Sequence, residues 1–273
     1  MVMYPTRYHR PQSLEGALTL HAEHEEASYL SGGHTLIPAL KQRLARPSDL
    51  IDLAALPGLR GIKRDNGILS IGATTTHAEV AASAVVRDAI PALAGMVGTI
   101  GDRHVRHRGT IGGSVANNDP AADYPAAVLG LGATIVTDRR RIDADDFFVA
   151  LYETALAPGE IITRIDFPVP DQAGYAKFRS AASRYAVAAV FVAKFGAAAR
   201  AAVTGAGSAG VFRLRDLEAA LAKDFGPAAV AHCKIDPGDM LEDLVGSSEY
   251  RANLVLVMAR RALEHPGEAC SYK

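Results

Sequence analysis

The chain has 273 residues, of which 49% are hydrophobic, so it is long enough to bury a large core in one or two domains. Twenty-nine basic and thirty acidic residues give a net charge of −1, which argues against a protein that binds nucleic acid or an anionic membrane through its overall charge. No apolar run approaches the ~20 residues of a membrane span, and the first residues lack the apolar segment of a secretory signal. We therefore expect a cytoplasmic protein with no membrane span.

The first half of the chain alternates helical and extended patterns. Ser13 is the predicted N-cap of an amphipathic helix, Arg46-Pro47 ends a second helix, and Pro91 opens the later part of a longer helical segment. The predicted helices cover residues 14–27, 39–45, 76–83, 85–101 and 126–133, and the predicted strands cover residues 28–30, 50–53, 67–75, 134–137 and 160–170. No internal repeat interrupts this alternation.

The second half begins after a cluster of Pro and Gly at residues 168–174, which predicts a boundary between a domain of residues 1–170 and a domain of residues 171–273. The predicted strands cover residues 175–180, 186–195 and 199–205, and the predicted helices cover residues 213–225 and 248–265. Strands followed by helices are typical of a small α+β domain.

Two short segments combine a glycine pair with hydroxyl side chains: SGGHT at 31–35 and TIGGS at 110–114. Glycine lets a backbone approach a bulky anion, and consecutive N–H groups in a tight loop form a concavity for phosphate oxygens. Neither segment has the Walker A or the Rossmann spacing, and each alone is typical of an ordinary turn. Two such loops in one chain favour a site for a pyrophosphate.

A third glycine-rich segment, GAGSAG at 205–210, has the formal G-x-G-x-x-G spacing at Gly205, Gly207 and Gly210 and follows a predicted strand. The chain that follows it is too short for a doubly wound sheet, and the next residues carry two arginines. We therefore predict a turn between a strand and a helix, with a nicotinamide-binding loop as the alternative.

Cys233 and Cys270 are the only cysteines, and they are far apart in the sequence. An iron–sulfur cluster normally takes four thiolates, so this chain alone is not expected to hold one. The nine histidines lack H-E-x-x-H or comparable spacing. No metal site and no catalytic residue is predicted.

Residues 29–62, 71–80 and 103–135 together resemble the FAD-binding medium subunits of the molybdenum hydroxylases, in the xanthine dehydrogenase family, and among these most the carbon monoxide dehydrogenase medium chain. The resemblance extends from about residue 4 to the C-terminus and is strongest in the first 170 residues. It implies an α+β fold: an FAD-binding domain of the p-cresol methylhydroxylase (PCMH) and vanillyl-alcohol oxidase (VAO) type, with two subdomains, followed by a smaller α+β C-terminal domain.

The resemblance also implies which residues contact FAD. The first loop places backbone amides around the pyrophosphate, the second loop lies beside it, and an aspartate lies near the adenosine portion. Two apolar residues, a lysine near the flavin and a tyrosine that covers the ring complete the set. The implied residues are Leu30, Ser31, Gly32, Gly33, His34, Thr35, Leu36 and Ile37 of the first loop, Thr110, Ile111, Gly112, Gly113 and Ser114 of the second, Asp123, the apolar Ile100 and Ile162, Lys177 and Tyr185. For Tyr185, a core position is an equal alternative.

Three residues qualify the resemblance. His107 replaces the asparagine that the family usually has after Arg106, and Arg184 stands where an aspartate is common. His34 follows a glycine pair as in some related oxidases that attach flavin covalently, but the expected position of this loop at the pyrophosphate favours noncovalent FAD.

The implied function is electron transfer within a multi-subunit oxidoreductase. FAD on this chain would pass electrons from [2Fe–2S] clusters on a small iron–sulfur subunit to an external acceptor, while a large subunit with the molybdenum cofactor oxidises the substrate. Two copies of each of the three subunits would form the complex. The alternatives are a self-sufficient FAD-dependent oxidase, a nicotinamide-dependent dehydrogenase that uses residues 205–210, and a scaffold without a cofactor.

Overall fold

The computed structural model describes residues 3–272, apart from the side chain of His232. The first of its sheets is parallel and has three strands in the order β1-β3-β2. Parallel neighbours need crossover connections, and two helices supply them here. The elements are β1 (Arg7–His9), α1 (Leu14–Glu23), β2 (Ala27–Leu30), α2 (Leu36–Lys41) and β3 (Asp49–Asp52).

The second sheet is antiparallel and has five strands in the order β4-β5-β10-β6-β7. Several short helices lie between β5 and β6 in the chain. The strands are β4 (Ile62–Asp65), β5 (Ile68–Gly72), β6 (Thr134–Thr137), β7 (Arg141–Asp143) and β10 (Ile162–Pro168), with a separate hairpin of β8 (Phe148–Ala150) and β9 (Glu153–Thr154). The helices are α3 (His77–Ala82), α4 (Ala84–Ala89), α5 (Pro91–Gly98), α6 (Arg103–Arg108), α7 (Ile111–Asn117), α8 (Asp123–Gly130) and α9 (Ala144–Phe147).

The third sheet has five strands in the order β14-β13-β12-β11-β15, and all of its pairs are antiparallel except β11 with β15. The elements are β11 (Gln172–Arg179), β12 (Ala186–Phe195), β13 (Ala198–Thr204), β14 (Phe212–Arg213), α10 (Arg215–Leu221), α11 (Ser248–Glu264) and β15 (Ala269–Tyr272), with 3₁₀ turns at Pro227–His232 and Pro237–Asp239. The chain passes from the second sheet to the third between Pro168 and Gln172.

The third sheet is buried on both faces, which explains why β12 is an almost continuous apolar run. Phe191 belongs to the core shared with the helices of the second sheet, whereas its neighbours Val190 and Val192 pack with α11 on the other face. Side chains that alternate across a strand produce this division. The third sheet therefore shares a hydrophobic core with the preceding helices.

The predicted strands and helices of the C-terminal domain are confirmed, with α10 shorter than expected. The predicted first helix is too long, because residues 24–26 leave it and Ala27 already begins β2. The sequence did not predict the short strands β1, β4, β7, β8, β9, β14 and β15. Of these, β1 and β15 depend on pairing with strands that are distant in the chain. No helix in the described part of the chain is long and apolar enough to cross a membrane.

The second glycine segment is wrongly predicted as a loop. Thr110 is the N-cap of α7, and its side chain accepts a hydrogen bond from the backbone N–H of Gly113. Helix α7 has seven residues and ends at Asn117, and its C-cap is Asn118, whose φ of 44° is left-handed. A glycine pair has low helix propensity, so tertiary contacts and the Thr110 cap stabilise this short helix.

Candidate functional site

A cavity of about 610 Å³ lies where the first sheet meets the helices α3, α6 and α7. Its volume is within the range of pockets that hold ligands of cofactor size. Both glycine segments line it, as do the end of β10 and the turn between β11 and β12. The cavity therefore brings together parts of the chain that are far apart in the sequence.

The first glycine segment begins at the carboxyl end of β2, directly after Leu30. Gly33 has a φ of +75°, a left-handed conformation that strains residues with a Cβ atom. Within residues 3–272, the backbone N–H groups of Gly32, Gly33, His34 and Thr35 make no hydrogen bond. Since backbone donors at a protein surface need acceptors, these four groups are free to bind a ligand or water.

The second glycine segment uses its backbone N–H groups within the protein. Ile111 N donates to Thr75 O at 3.1 Å, and Gly112 N donates to Ala73 O at 2.8 Å. Gly113 N donates to Thr110 Oγ1 at 3.3 Å. A Cβ atom on Gly112 would lie 2.6 Å from the Ala73 Cβ. These glycines therefore allow α7 to pack closely against the end of β5.

The two segments meet at one point beside the cavity. Ser31 Oγ and Thr110 Oγ1 are hydrogen bonded at 2.9 Å. A Cβ atom on Gly32 would overlap the carbonyl oxygen of Arg108 and lie 2.7 Å from the Cα of Gly109. Only glycine at position 32 allows this approach of the two backbones.

Asp123 connects the cavity with the third sheet. Its carboxylate accepts a hydrogen bond from the Tyr175 hydroxyl and lies 2.8 Å from Lys177 Nζ. Lys177 is fully buried and also donates to Thr99 O at 3.4 Å. A buried charge needs a partner, and Asp123 and Lys177 provide one for each other.

The turn between β11 and β12 forms one edge of the cavity. Ser183, Arg184 and Tyr185 line it, and the Tyr185 side chain is 49% exposed. Arg184 has a φ of +66° and donates from Nη1 to Gly101 O at 3.1 Å. Partial burial, with a smaller contribution from the carboxylate of Asp119, raises the pKa of Tyr185 above its usual value.

All but three of the predicted site residues line this cavity. Ile37 follows the first segment in α2, and Ile111 is buried in α7 against the core. Lys177 is buried behind Asp123 and does not line the cavity. Those that line it are Leu30, Ser31, Gly32, Gly33, His34, Thr35, Leu36, Ile100, Thr110, Gly112, Gly113, Ser114, Asp123, Ile162 and Tyr185.

Among the polar cavity residues that were not predicted as site residues are Asp119, Glu160 and His77. Asp119 lies at the same edge as Tyr185, and burial raises its pKa. Glu160 is bound by Arg140 Nη2 at 2.8 Å, and this contact helps to lower the pKa of Glu160 to about 2. His77 is only 5% exposed. The sequence signal for His77 was its place in the segment that carries the resemblance, although the helix there was assigned no role at the site.

The two departures from the family pattern form local contacts. His107 is exposed, and its Nδ1 donates to Arg103 O at 2.7 Å within α6. Arg106 Nη1 donates to Ile100 O at 2.8 Å, so Arg106 and Arg184 fix neighbouring carbonyls at the end of α5.

The third glycine segment has no row of four consecutive unbonded N–H groups, because Gly205, Ser208 and Gly210 all donate to protein carbonyls. Gly205 N donates to Pro120 O at 2.8 Å, and Gly210 N donates to Gly207 O at 3.2 Å. A Cβ atom on Gly207 would lie 2.5 Å from Gly210 O, and the segment leads into the two-residue strand β14. It is a closed turn in an antiparallel sheet and lacks the strand-to-helix geometry of a dinucleotide fingerprint.

Two groups of side chains in the described part of the chain have the spacing of metal ligands, and both lie outside the cavity. They are His9, His24 and Asp49, and His265, Glu268 and Cys270. Asp49 already accepts hydrogen bonds from Arg7 and, at 2.7 Å, from Ser48 Oγ. It also pairs with His9 Nε2 at 2.6 Å. This carboxylate is saturated by protein donors.

Comparison with known proteins gives the same fold and a family. Residues 4–170 match the FAD binding domain in molybdopterin dehydrogenase. A crystal structure of the Cu,Mo-CO dehydrogenase in a cyanide-inactivated form superposes with a TM-score of 0.86 at 33% identity, over 97% of this chain and 98% of that one. The chain belongs to the family of FAD-binding subunits of the molybdenum hydroxylases, and its cofactor is FAD.

The individual relatives are medium subunits of oxidoreductases. The nicotine 6-hydroxylase medium subunit of Paenarthrobacter nicotinovorans is 34% identical over 96% of this chain and 97% of its own length. The carbon monoxide dehydrogenase medium chain of Hydrogenophaga pseudoflava is 33% identical over 98% of this chain and 100% of its own. This protein is accordingly an oxidoreductase subunit that is similar to both along nearly its whole length.

Proposed function

We propose that the chain binds one FAD noncovalently in the cavity and relays electrons from iron–sulfur clusters on a partner subunit to an external acceptor. The observation that carries the proposal is the row of four unbonded backbone N–H groups at Gly32–Thr35, which belong to residues that line a cavity of cofactor size. When bound, the isoalloxazine supplies the capacity to take up and release one or two electrons.

The residues around the cavity fit a dinucleotide. The N–H groups of the first glycine segment would hold the pyrophosphate, and Ser31 and Thr110 would fix the position of the second segment against the first. Asp123 would accept hydrogen bonds from hydroxyl groups of the cofactor, and its orientation is set by Tyr175 and Lys177. Lys177 therefore acts through Asp123 in this proposal.

The flavin ring would lie toward the turn between β11 and β12. Tyr185 lines the cavity there with about half of its surface exposed, and Ile100 and Ile162 provide apolar wall. An aromatic side chain in this position can cover a flavin ring. The turn belongs to the C-terminal domain, so both domains would contribute to the cofactor site.

The same proposal assigns the other redox groups to partners. Cys233 and Cys270, the only cysteines of the chain, are too few for a [2Fe–2S] cluster with four thiolate ligands. We infer a small iron–sulfur subunit and a large molybdenum subunit, in a cytoplasmic complex with two copies of each of the three subunits. Substrate oxidation would occur on the large subunit, so no residue here acts as an acid or base on the substrate.

Noncovalent binding distinguishes this proposal from an oxidase with histidine-linked flavin. His34 belongs to the first glycine segment, where the phosphates would bind, whereas the flavin ring would lie toward Tyr185. Acid precipitation of the flavin-loaded protein should release yellow flavin into the supernatant. A yellow pellet with a colourless supernatant would establish a covalent bond.

The electron-relay function is tested with the flavin-loaded chain alone and with its partners. Dithionite should bleach the flavin of the isolated chain, whereas carbon monoxide, aldehydes and purines should leave its absorbance unchanged. Addition of the iron–sulfur and molybdenum subunits should restore bleaching by one of these substrate classes. Stoichiometric bleaching of the isolated chain by such a substrate would instead support a self-sufficient oxidase.

A further inference from the structure

His77 lies beside the point where the two glycine segments meet. Its backbone N–H donates to Gly109 O at 2.9 Å. A Cβ atom on Gly109 would lie 2.6 Å from His77 Nε2, so this edge of the imidazole is packed against the backbone that approaches Gly32. Both His77 and Gly109 line the cavity.

The two ring nitrogens of His77 have different surroundings. Nδ1 is buried and has no hydrogen-bond partner within residues 3–272. The ring of Tyr124 packs against the imidazole with 5.4 Å between centroids, and its buried hydroxyl has no partner either. Nδ1 is closed off from the cavity, whereas Nε2 is not among the buried atoms of the described residues that lack a partner. Because His77 keeps 5% exposure and lines the cavity, Nε2 is the ring nitrogen that a ligand can reach.

The imidazole is neutral at physiological pH. Burial lowers the pKa of His77 to about 4, and the nearby His34 and Arg106 contribute in the same direction. A neutral imidazole carries one proton, and a proton on Nδ1 would leave a buried donor without an acceptor. We therefore assign the proton to Nε2, whose N–H is then the ring donor available to a ligand in the cavity.

Two sets of donors thus border the cavity beside the same residue, Gly109. One set is the four backbone N–H groups of Gly32–Thr35, which begin at Gly32 next to Gly109, and the other is His77 Nε2, which also lies next to Gly109. Several donors grouped in this way suit an anion with several acceptor oxygens.

We propose that His77 is a cofactor-binding residue whose Nε2–H donates a hydrogen bond to a phosphate oxygen of the bound dinucleotide. The inference rests on the proposed function for the identity of the ligand. It adds one side-chain donor to a phosphate site that is otherwise formed by main-chain groups. The buried Nδ1 and the ring of Tyr124 hold the imidazole in the orientation that directs Nε2 to the ligand.

The test measures the dissociation constant of FAD with the full-length apoprotein, by quenching of flavin fluorescence. His77→Leu removes the donor, and affinity should fall by about tenfold or more, the value of a hydrogen bond to a charged group. His77→Gln places an amide nitrogen at the position of Nε2 and should restore most of the affinity. His77→Asn places its amide nitrogen at the position of Nδ1 and should not.

Two further measurements separate a phosphate contact from a change in the fold. The ³¹P resonances of bound FAD should shift in His77→Asn and return toward the wild-type positions in His77→Gln. Tyr124→Phe, which removes the neighbouring unpartnered hydroxyl, is the matched control and should leave both the affinity and the ³¹P spectrum unchanged.

The outcomes distinguish this inference from the proposed function. A wild-type chain that binds no FAD would contradict the proposed function itself. A wild-type chain that binds FAD, together with equal affinity and identical ³¹P spectra for His77→Gln and His77→Asn, would overturn the role of His77 alone. If His77→Leu does not fold by circular dichroism, the comparison of the glutamine and asparagine variants still decides.

Discussion

The two glycine segments look alike in sequence and serve different purposes in the structure. At Gly32–Thr35 the backbone N–H groups are unbonded within the described chain and belong to residues that line the cavity, whereas Ile111–Gly113 donate theirs to Ala73, Thr75 and Thr110. The first segment therefore presents donors to a ligand. The second provides a smooth backbone surface on which α7 packs against β5. A glycine pair in a sequence indicates that another group comes close to the backbone, but it does not show whether that group is a ligand or another part of the protein.

We expect the largest losses of stability and of FAD binding from substitutions at the point where the two segments contact each other. Gly32→Val would place its Cβ within the space of Arg108 O, so the segments must separate. We expect a loss of more than about 3 kcal/mol in unfolding free energy together with loss of FAD binding. Urea unfolding of the apoprotein measures the first effect and flavin fluorescence the second.

The control for this variant is Gly98→Ala, because a Cβ atom on Gly98 meets nothing within 4 Å. It should retain both stability and FAD affinity. Wild-type stability in Gly32→Val would show that the backbones of the two segments do not meet as described.

The histidine between the segments should make the stability depend on pH. The pKa of His77 is about 4 in the folded protein and about 6.5 in the unfolded chain, so the unfolded state binds the proton more readily between these values. Stability should fall as the pH decreases from 6.5 toward 4, by up to about 3 kcal/mol.

Urea unfolding of the apoprotein at pH 7 and at pH 4.5 measures this loss. His77→Gln, which cannot take up the proton, should lose less stability than the wild type over the same interval. Equal losses in the two proteins would mean that His77 is not the group responsible. Tyr124, His34 and Arg106 are the titratable or charged groups that pack against or lie near the imidazole, and they are the same in both proteins.

The smallest effects on stability are expected for alanine substitutions of the second glycine of each pair, Gly33 and Gly113. Gly33→Ala must keep a φ of +75° and a contact of 3.1 Å with Ile37, at a cost of about 1 kcal/mol, and it should weaken FAD binding. Gly113→Ala gains helix propensity but contacts Thr110 Oγ1 at 3.0 Å, so its net effect should lie within about 0.5 kcal/mol.

Titration of both variants with FAD ranks the two segments as ligand sites. Because the N–H of Gly113 already has an acceptor, Gly113→Ala should bind FAD more tightly than Gly33→Ala. The opposite order would place the phosphates at the second segment.

The sequence predicted the elements whose patterns are local. The strand β12 has a long run of apolar and β-branched residues, and the long helix α11 has a clear amphipathic period and the N-cap Ser247. In contrast, β15 is four residues long and is stabilised by pairing with β11, which lies far away in the chain: Tyr175 pairs with Ala269. Strands of this kind depend on tertiary pairing and leave little local signal.

The residues of the candidate site were predicted from motif matches. Their burial and charge partners could not be predicted in this way. Lys177 was expected to lie near the flavin, but the structure buries it behind Asp123, a partner far away in the chain. His77 carried no local sign of function, because its burial and its unpartnered Nδ1 depend on Gly109 and Tyr124. Helix α7 was missed because glycine lowers helix propensity and the compensating contacts come from Ala73 and Thr75.

The ion pair between Asp123 and Lys177 sets a limit on how the protein can be divided. Asp123 forms part of the cavity wall, while Lys177 and Tyr175 belong to the first strand beyond the boundary at residues 168–174. A fragment that ends at residue 170 would leave a buried carboxylate with neither of these partners and would uncover the face of the core that Phe191 fills. The cofactor domain is therefore not autonomous, and proteolysis between the domains should yield two halves that stay associated or unfold together.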